Sequence, residues 1–228
     1  MVKKILSIIP ARGGSKGLSR KNIINLAGKP LIAWTIEASL NSKYITKTVV
    51  SSDDKEILDI SLGCGSEIIK RPDSLAIDSA TSESVVRHAI DYLESTGEMF
   101  DIIILLQPTS PLRSFKDIDS AFEVMFDSAA TAVISTCEFN SKTLKTLIEN
   151  SNGFLEGVSN NKYPFMRRQD LPKVYMPNGS IYIINTKSFL AENSFITSKT
   201  ANYIASKKSS VDIDTLADLN IAESILME

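Results

Sequence analysis

Short runs of apolar residues alternate along this chain with longer segments whose apolar positions recur at helical spacing. Ile5 to Pro10 predicts a buried strand, Leu31 to Leu40 a helix, and Thr48 to Ser51 a second strand. Asp53 and Glu56 have the spacing of a capping box, which predicts a helix starting there. Ser82 to Glu94 carries a helical pattern, and the aliphatic run Ile102 to Leu106 is the most strand-like of all. Ser114 and Asp117 repeat the capping-box spacing ahead of a helix through Phe126, and Val133 to Thr136 returns as strand. Between about Glu138 and Pro177 the alternation breaks into polar, irregular sequence. It resumes at Ser180 to Ile184 and ends in a helix from Thr215 to Met227. Strands alternating with helices imply crossover connections between parallel neighbours. The prediction is therefore α/β, a doubly wound and mostly parallel sheet. The irregular stretch, 138–177, reads as an excursion from a single domain spanning 1–228.

Length agrees with that reading, since 228 residues with 43% apolar content suit one α/β domain with a sizeable core. A net charge of -2 without a long basic run argues against a nucleic-acid partner, which needs a dense array of phosphate-neutralising cations. Cys64 and Cys137 stand far apart in no metal-ligand spacing, which argues against a structural zinc site or a disulfide scaffold. No apolar stretch approaches membrane-spanning length, and the N-terminus runs straight into the first strand without a signal-peptide core. The expectation is a soluble cytoplasmic protein with no membrane partner.

Open parallel sheets bind ligands at the carboxyl ends of their strands. The patches that follow strands here are Ala11 to Asn22, Ser52 to Asp54, Gln107 to Arg113, and Asp212 to Asp214. The first holds Gly13, Gly14 and Gly17 among Arg12, Ser15, Lys16 and Lys21. Its backbone can turn tightly and present N–H groups and cations to a phosphate, or it can be an ordinary strand-to-helix turn. Its glycine spacing matches neither a Walker loop nor a dinucleotide fingerprint. Two prolines stiffen the second loop and orient Gln107 and Arg113, which suits a polar ligand but also a plain connection. In Val211-Asp212-Ile213-Asp214-Thr215, strand alternation would put both carboxylates on one side, close enough for one hard cation; helix capping by Asp214 is the other reading. His88 is the only histidine and sits in a helical pattern, and no G-x-S-x-G turn accompanies it, so a serine or cysteine triad has nothing to build on; Trp34 has the spacing of a core residue.

Taken in order, these patches resemble the CMP-sialic acid synthetases, the N-acylneuraminate cytidylyltransferases. The resemblance begins with Ile9-Pro10-Ala11-Arg12-Gly13-Gly14-Ser15-Lys16-Gly17 and Lys21-Asn22. It continues through Arg71-Pro72, Thr81-Ser82 and Leu106-Gln107-Pro108-Thr109-Ser110-Pro111-Leu112-Arg113. Leu144-Lys145-Thr146, Arg168-Gln169-Asp170-Leu171-Pro172, Pro177-Asn178-Gly179-Ser180-Ile181-Tyr182 and Asp212-Ile213-Asp214-Thr215 complete it. It implies that Arg12, Ser15, Lys16 and Lys21 meet the phosphates of CTP, and that Asn22, Arg71 and Ser82 line the cytidine pocket. Gln107 would contact the sugar acid. Lys145 and Arg168 would reach, from a dimerisation excursion, toward the partner subunit's acidic sugar. Asp212 and Asp214 would hold magnesium, or manganese. The implied reaction joins CMP from CTP to the anomeric hydroxyl of a nine-carbon sugar acid and releases pyrophosphate, with Arg12, Lys16, Lys21, Asp212 and Asp214 as catalytic groups. The implied partners are CTP, the acidic sugar and a second copy of the chain.

One residue departs from the pattern, because Met176 stands where family members often carry Arg before Pro-Asn-Gly. N-Acetylneuraminate is the expected acceptor, with legionaminic acid as the alternative. A catalytically silent nucleotide-binding module is disfavoured by the intact cations and the intact acidic pair. A synthetase for an eight-carbon acid lacks the Gly-Gly-Ser-Lys-Gly string, and this chain lacks the glycine spacing and the acidic residue that a nicotinamide dehydrogenase needs.

Overall fold

The computed structural model describes residues 3–14 and 17–227. In chain order its strands are β1 (Ile5–Pro10), β2 (Asn25–Leu26), β3 (Lys29–Pro30), β4 (Lys47–Ser52), β5 (Glu67–Lys70), β6 (Ile102–Leu106), β7 (Ala132–Phe139), β8 (Leu147–Glu149), β9 (Leu155–Gly157), β10 (Val174–Asn185) and β11 (Thr200–Ile204). The helices are α1 (Leu31–Leu40), α2 (Lys55–Gly63), α3 (Ser82–Ser95), α4 (Phe115–Asp127), α5 (Thr186–Glu192) and α6 (Leu216–Leu226).

Seven strands form the main sheet in the order β11-β7-β10-β6-β1-β4-β5. β1 lies parallel to both β4 and β6, β4 to β5, and β7 to β11, whereas β10 runs antiparallel to β6. The fold is the mostly parallel α/β sheet that the alternation predicts. Period-2 geometry divides β6 between two layers. Ile102, Ile104 and Leu106 pack with Ile32 and Ile36 of α1, Ile57 of α2 and Phe122 of α4. Ile103 and Leu105 pack with Val86 and Ile90 of α3 and Phe189 of α5. A third cluster, Leu26, Leu31, Ile213, Leu219 and Ala222, packs α6 and the segment before it against the β2–β3 hairpin.

Local signals explain the helix starts. Ser114 and Asp117 form the predicted capping box of α4, and Thr215 with Asp218 forms another at α6. At α2 the cap is Asp54, one residue beyond the expected Asp53: its side chain accepts from Ile57 N at 3.1 Å. The strand expected at 211–214 is an extended segment outside any sheet.

The chain divides into two compact units, residues 1–136 with 177–228, and residues 137–176. The smaller unit contains the β8–β9 hairpin, turned by Asn150, whose side chain accepts from Asn152 N and Phe154 N. Single turns at Ser141–Lys145, Tyr163–Phe165 and Arg168–Asp170 complete it.

Candidate active site

In the larger unit the strand-end patches converge. Arg12, Lys21, Asn22, Arg71, Ser82, Gln107 and Asp214 line one cleft of about 330 Å³. A more apolar hollow of about 430 Å³ beside Trp34, Leu112 and Leu226 holds none of these residues.

The acidic segment owes its position to the residue between its carboxylates. Ile213 is fully buried in the third cluster, and its N–H donates to Thr109 O at 2.8 Å. That anchor leaves the flanking residues at the surface. The Asp214 side chain is 73% exposed and receives Lys21 Nζ at 2.8 Å; the same Nζ donates to Ile213 O at 2.8 Å. Asp212 keeps contact with solvent but is crowded on its protein side. That desolvation pushes its carboxyl above the usual range, a hydrogen bond from Thr109 opposes the shift, and Asp214 adds repulsion.

Among the described residues no three His, Cys, Asp or Glu side chains cluster as a metal site. The exposed carboxylate of Asp214 on the cleft, with Asp212 two residues away, has the oxygen chemistry of a magnesium site, since that ion is commonly bound through one or two carboxylates while substrate phosphates and water fill its other positions.

The glycine-rich loop is pinned at both ends. Gly13 N donates to Asp53 Oδ1 at 3.0 Å, and a Cβ on Gly13 would lie 2.7 Å from Asp54 Oδ2. A Cβ on Gly17 would lie 2.5 Å from the backbone oxygen of Asp214. Absence of side chains at these two positions is what lets the loop press against both acidic segments. Ser15 and Lys16 lie outside the described residues.

The cations around this loop divide by task. Arg12 Nη1 pairs with Asp78 Oδ1 at 2.6 Å, at the cleft wall. Arg20, in the left-handed region at φ 56°, turns away to Asp54 and Glu56 and so ties the loop to the start of α2. The hydrogen bond from Arg20, more than any other influence, holds the Asp54 carboxyl below its ordinary range. Lys21 follows directly and points to the acidic segment instead.

Asn22 is buried, and its Nδ2 donates to Arg12 O at 2.9 Å, bracing the loop from inside. Arg71 is 4% exposed; Nη2 donates to Ser51 O at 2.6 Å and Nε to Ser51 Oγ at 3.3 Å. Burial brings its pKa down to about 10, still charged at neutral pH. Ser82 opens α3, one residue after its cap Thr81.

Gln107 lines the cleft and lies beside Gly179, and Tyr182 stands near Asp212 and Glu83. Burial raises the Tyr182 phenol above its usual pKa. Asn178, beside Gly179, ties β10 to its neighbours: Oδ1 accepts from Ser135 Oγ at 2.6 Å and Ser180 N at 3.2 Å, and Nδ2 donates to Ser210 Oγ at 2.9 Å. Lys145 and Arg168 belong to the smaller unit, Lys145 half-buried at the end of a single turn and Arg168 exposed at the start of another.

Sequence reasoning did not find the Arg20–Asp54 clamp or the Thr109–Ile213 link. Alternation across the Asp-Ile-Asp string signalled the buried Ile213, but nothing in the pattern named its partner. His88 is half-buried on α3, and burial lowers its pKa, so the imidazole is neutral at pH 7. Trp34 donates Nε1 to Leu26 O at 3.0 Å and packs in the third cluster, a structural role.

The family described as Cytidylyltransferase matches the chain over residues 6–224. A pseudaminic acid cytidylyltransferase of Campylobacter jejuni subsp. jejuni serotype O:2 is 34% identical over 221 residues, covering 96% of this chain and 95% of the relative. An N-acylneuraminate cytidylyltransferase of Streptococcus agalactiae serotype III is 38% identical over 218 residues, covering 94% of this chain and 51% of the relative. The chain thus spans about half the length of the streptococcal protein. Among solved structures, the CTP complex of CMP:2-keto-3-deoxy-manno-octonic acid synthetase aligns with a TM-score of 0.72 over 98% of both chains, at 18% identity, a likeness of fold. The family match runs from β1 to α6 and takes in every strand-end patch that forms the cleft, so the chain belongs to the cytidylyltransferase family.

Proposed function

We propose that this protein transfers CMP from CTP to the anomeric hydroxyl of a nine-carbon sugar acid, releasing pyrophosphate, in the cytoplasm where CTP is made. The observation that carries the reading is the cleft itself. A lysine, a buried arginine and an exposed carboxylate meet beneath a glycine-rich loop, and relatives sharing more than a third of their residues are named for this chemistry.

The anomeric oxygen attacks the α-phosphorus, a new P–O bond forms, and the bond to the β-phosphate oxygen breaks. Such transfer depends on alignment and charge neutralisation more than on covalent help. Arg12 and Lys21, with Lys16, take the charge that develops on the departing pyrophosphate. Asn22, Arg71 and Ser82 face the cytidine. Asp214 and Asp212 would hold magnesium or manganese, which supplies charge neutralisation and a more acidic hydroxyl. Asp212 either shares that cation or accepts the hydroxyl proton.

Nucleotide choice follows from hydrogen bonds to the base edge. A donor left unpaired in a closed site costs about 1–3 kcal/mol, so CTP is expected to exceed UTP by roughly ten- to a hundredfold in kcat/KM. Pyrophosphate release measured for four nucleoside triphosphates against N-acetylneuraminate, legionaminate and pseudaminate checks this. Equal turnover of UTP and CTP refutes the base assignment, and turnover with none of the acids refutes the acceptor class. Met176, in place of the expected Arg, is the reason pseudaminate and legionaminate stand in the panel beside N-acetylneuraminate.

The working form is a homodimer built through the smaller unit. That unit exposes Phe165 to 87%, Phe154 to 70% and Leu155 to 67%, beside Leu147, Ile148 and Val158. Exposed apolar side chains at this density favour a second protein surface. Lys145 and Arg168, on the same unit, would meet the sugar carboxylate bound by the partner subunit. Sedimentation at micromolar concentration is expected to give twice the chain mass of 25.0 kDa, and a monomer there contradicts the assembly.

A further inference from the structure

Arg113 is 2% exposed, and among the described residues no hydrogen-bond partner meets its Nε or Nη2. A guanidinium so placed is costly, because buried donors without acceptors lose their hydration for nothing in return. Its one bonded nitrogen shows what the residue does. Nη1 donates to Ser180 O at 2.9 Å and to Gln107 O at 3.3 Å, so it bridges β10 to the first residue of the loop after β6. The loop is tightened further by Ser110 N to Gln107 O at 3.3 Å and Arg113 N to Ser110 O at 3.4 Å.

The side chain of Gln107 lies against Gly179. Gly179 adopts φ 74°, and a Cβ there would lie 3.0 Å from Gln107 Oε1 and 3.9 Å from Ser110 Oγ. A side chain at 179 would be strained at this φ and would press on the end of the Gln107 amide, which would have to give by a few tenths of an ångström. Asn178 and Ser180, on either side, are locked to Ser135 and Arg113, so Gly179 has little freedom to move away.

We infer that Arg113 and Gly179 are positioning residues for contact with the sugar acid, Arg113 by fixing the backbone of Gln107 and Gly179 by leaving the room in which its amide lies. The inference rests on the reading of Gln107 as a sugar contact. It explains why the loop carries a buried, half-satisfied arginine and why β10 carries a left-handed glycine at this point.

Four variants test it: Gln107→Ala, Gly179→Ala, Arg113→Lys and the Gln107→Ala/Gly179→Ala pair. Gln107→Ala is expected to raise the sugar KM about tenfold, the effect of one lost hydrogen bond, with the CTP KM within about twofold. Gly179→Ala should show the same split, and the double variant should be no worse than Gln107→Ala alone. The side-chain amide NMR signals of Gln107, assigned by their loss in Gln107→Ala, should shift in Gly179→Ala and in Arg113→Lys. Unmoved signals in both variants overturn the positioning claim outright, whatever the kinetics. Multiplying KM effects in the double variant do so as well. An unchanged sugar KM in Gln107→Ala overturns the sugar contact instead, while the NMR shifts still decide the geometry.

Discussion

Asp214→Ala is expected to fold normally and to lose pyrophosphate release by about a thousandfold or more. The two halves of that statement have separate origins. The Asp214 side chain is 73% exposed, so solvent screens its ion pair with Lys21 and the pair contributes on the order of 1 kcal/mol, while Lys21 keeps its bond to Ile213 O. The backbone of the segment is held elsewhere, by buried Ile213 and its bond to Thr109 O, so removing the carboxylate leaves the segment docked. Catalysis has no such reserve. A bound metal is worth several kcal/mol to a phosphoryl transition state, and every 1.36 kcal/mol is a factor of ten. Thermal melting should therefore move by a few degrees at most while kcat collapses across a magnesium titration. Asp212→Ala should be severely impaired yet measurable, since Asp214 retains its place. Near-normal turnover of Asp214→Ala at millimolar magnesium contradicts the assignment.

The parts of this molecule that were legible in the sequence are those where one physical cause dominates. β6 is buried on both faces, and its unbroken aliphatic run says so. The box at Ser114 and Asp117 is a local hydrogen-bond pattern needing nothing from the rest of the fold. At α2 two adjacent aspartates compete for one cap. Spacing favoured Asp53, but Asp53 accepts from Gly13 and Asp54 takes the helix. That choice is tertiary, and no local rule contains it. β11 and β5 were missed because they are edge strands, each partly exposed and without clean alternation. The antiparallel sense of β10 was also hidden, since a run of apolar residues carries no direction.

The site divides in the same manner. Topology alone pointed to the strand ends, and three of the four patches it named contribute residues to the cleft wall. The fourth, Ser52 to Asp54, braces the loop from behind through Gly13. Arg71 and Ser82 came only from resemblance, because a buried arginine after a short strand and a serine at a helix start carry no distinctive pattern. Arg20 stood among the loop cations in sequence, yet its charge is committed to Asp54 and Glu56. Composition cannot tell a cation that binds phosphate from one that holds the loop.

The glycines of that loop are also unequal, and the difference yields the second large effect. A methyl group at Gly17 would sit 2.5 Å from the backbone oxygen of Asp214, well inside contact distance, whereas nothing lies within 4 Å of a methyl at Gly14. A flexible side chain could swing away from such an overlap. A carbonyl anchored between buried Ile213 and the capping box of α6 cannot do so cheaply. Gly17→Ala must therefore lift the loop or displace the carbonyl, and either movement separates the phosphate cations from the acidic pair. Misplacement of about 1 Å at a reacting centre can cost on the order of a hundredfold, so kcat/KM for CTP should fall by about that factor. Folding should be little affected, because the loop is a surface connection whose opening buries nothing new. Gly14→Ala supplies the comparison: its melting temperature should equal that of the parent, and any loss it shows must come from contact with the nucleotide itself. Steady-state kinetics with CTP varied at saturating sugar, together with melting curves for both variants, separate these outcomes. A Gly17→Ala enzyme with parental kcat/KM would mean that the loop does not need its seat against Asp214, and that the two halves of the site work without being held together there.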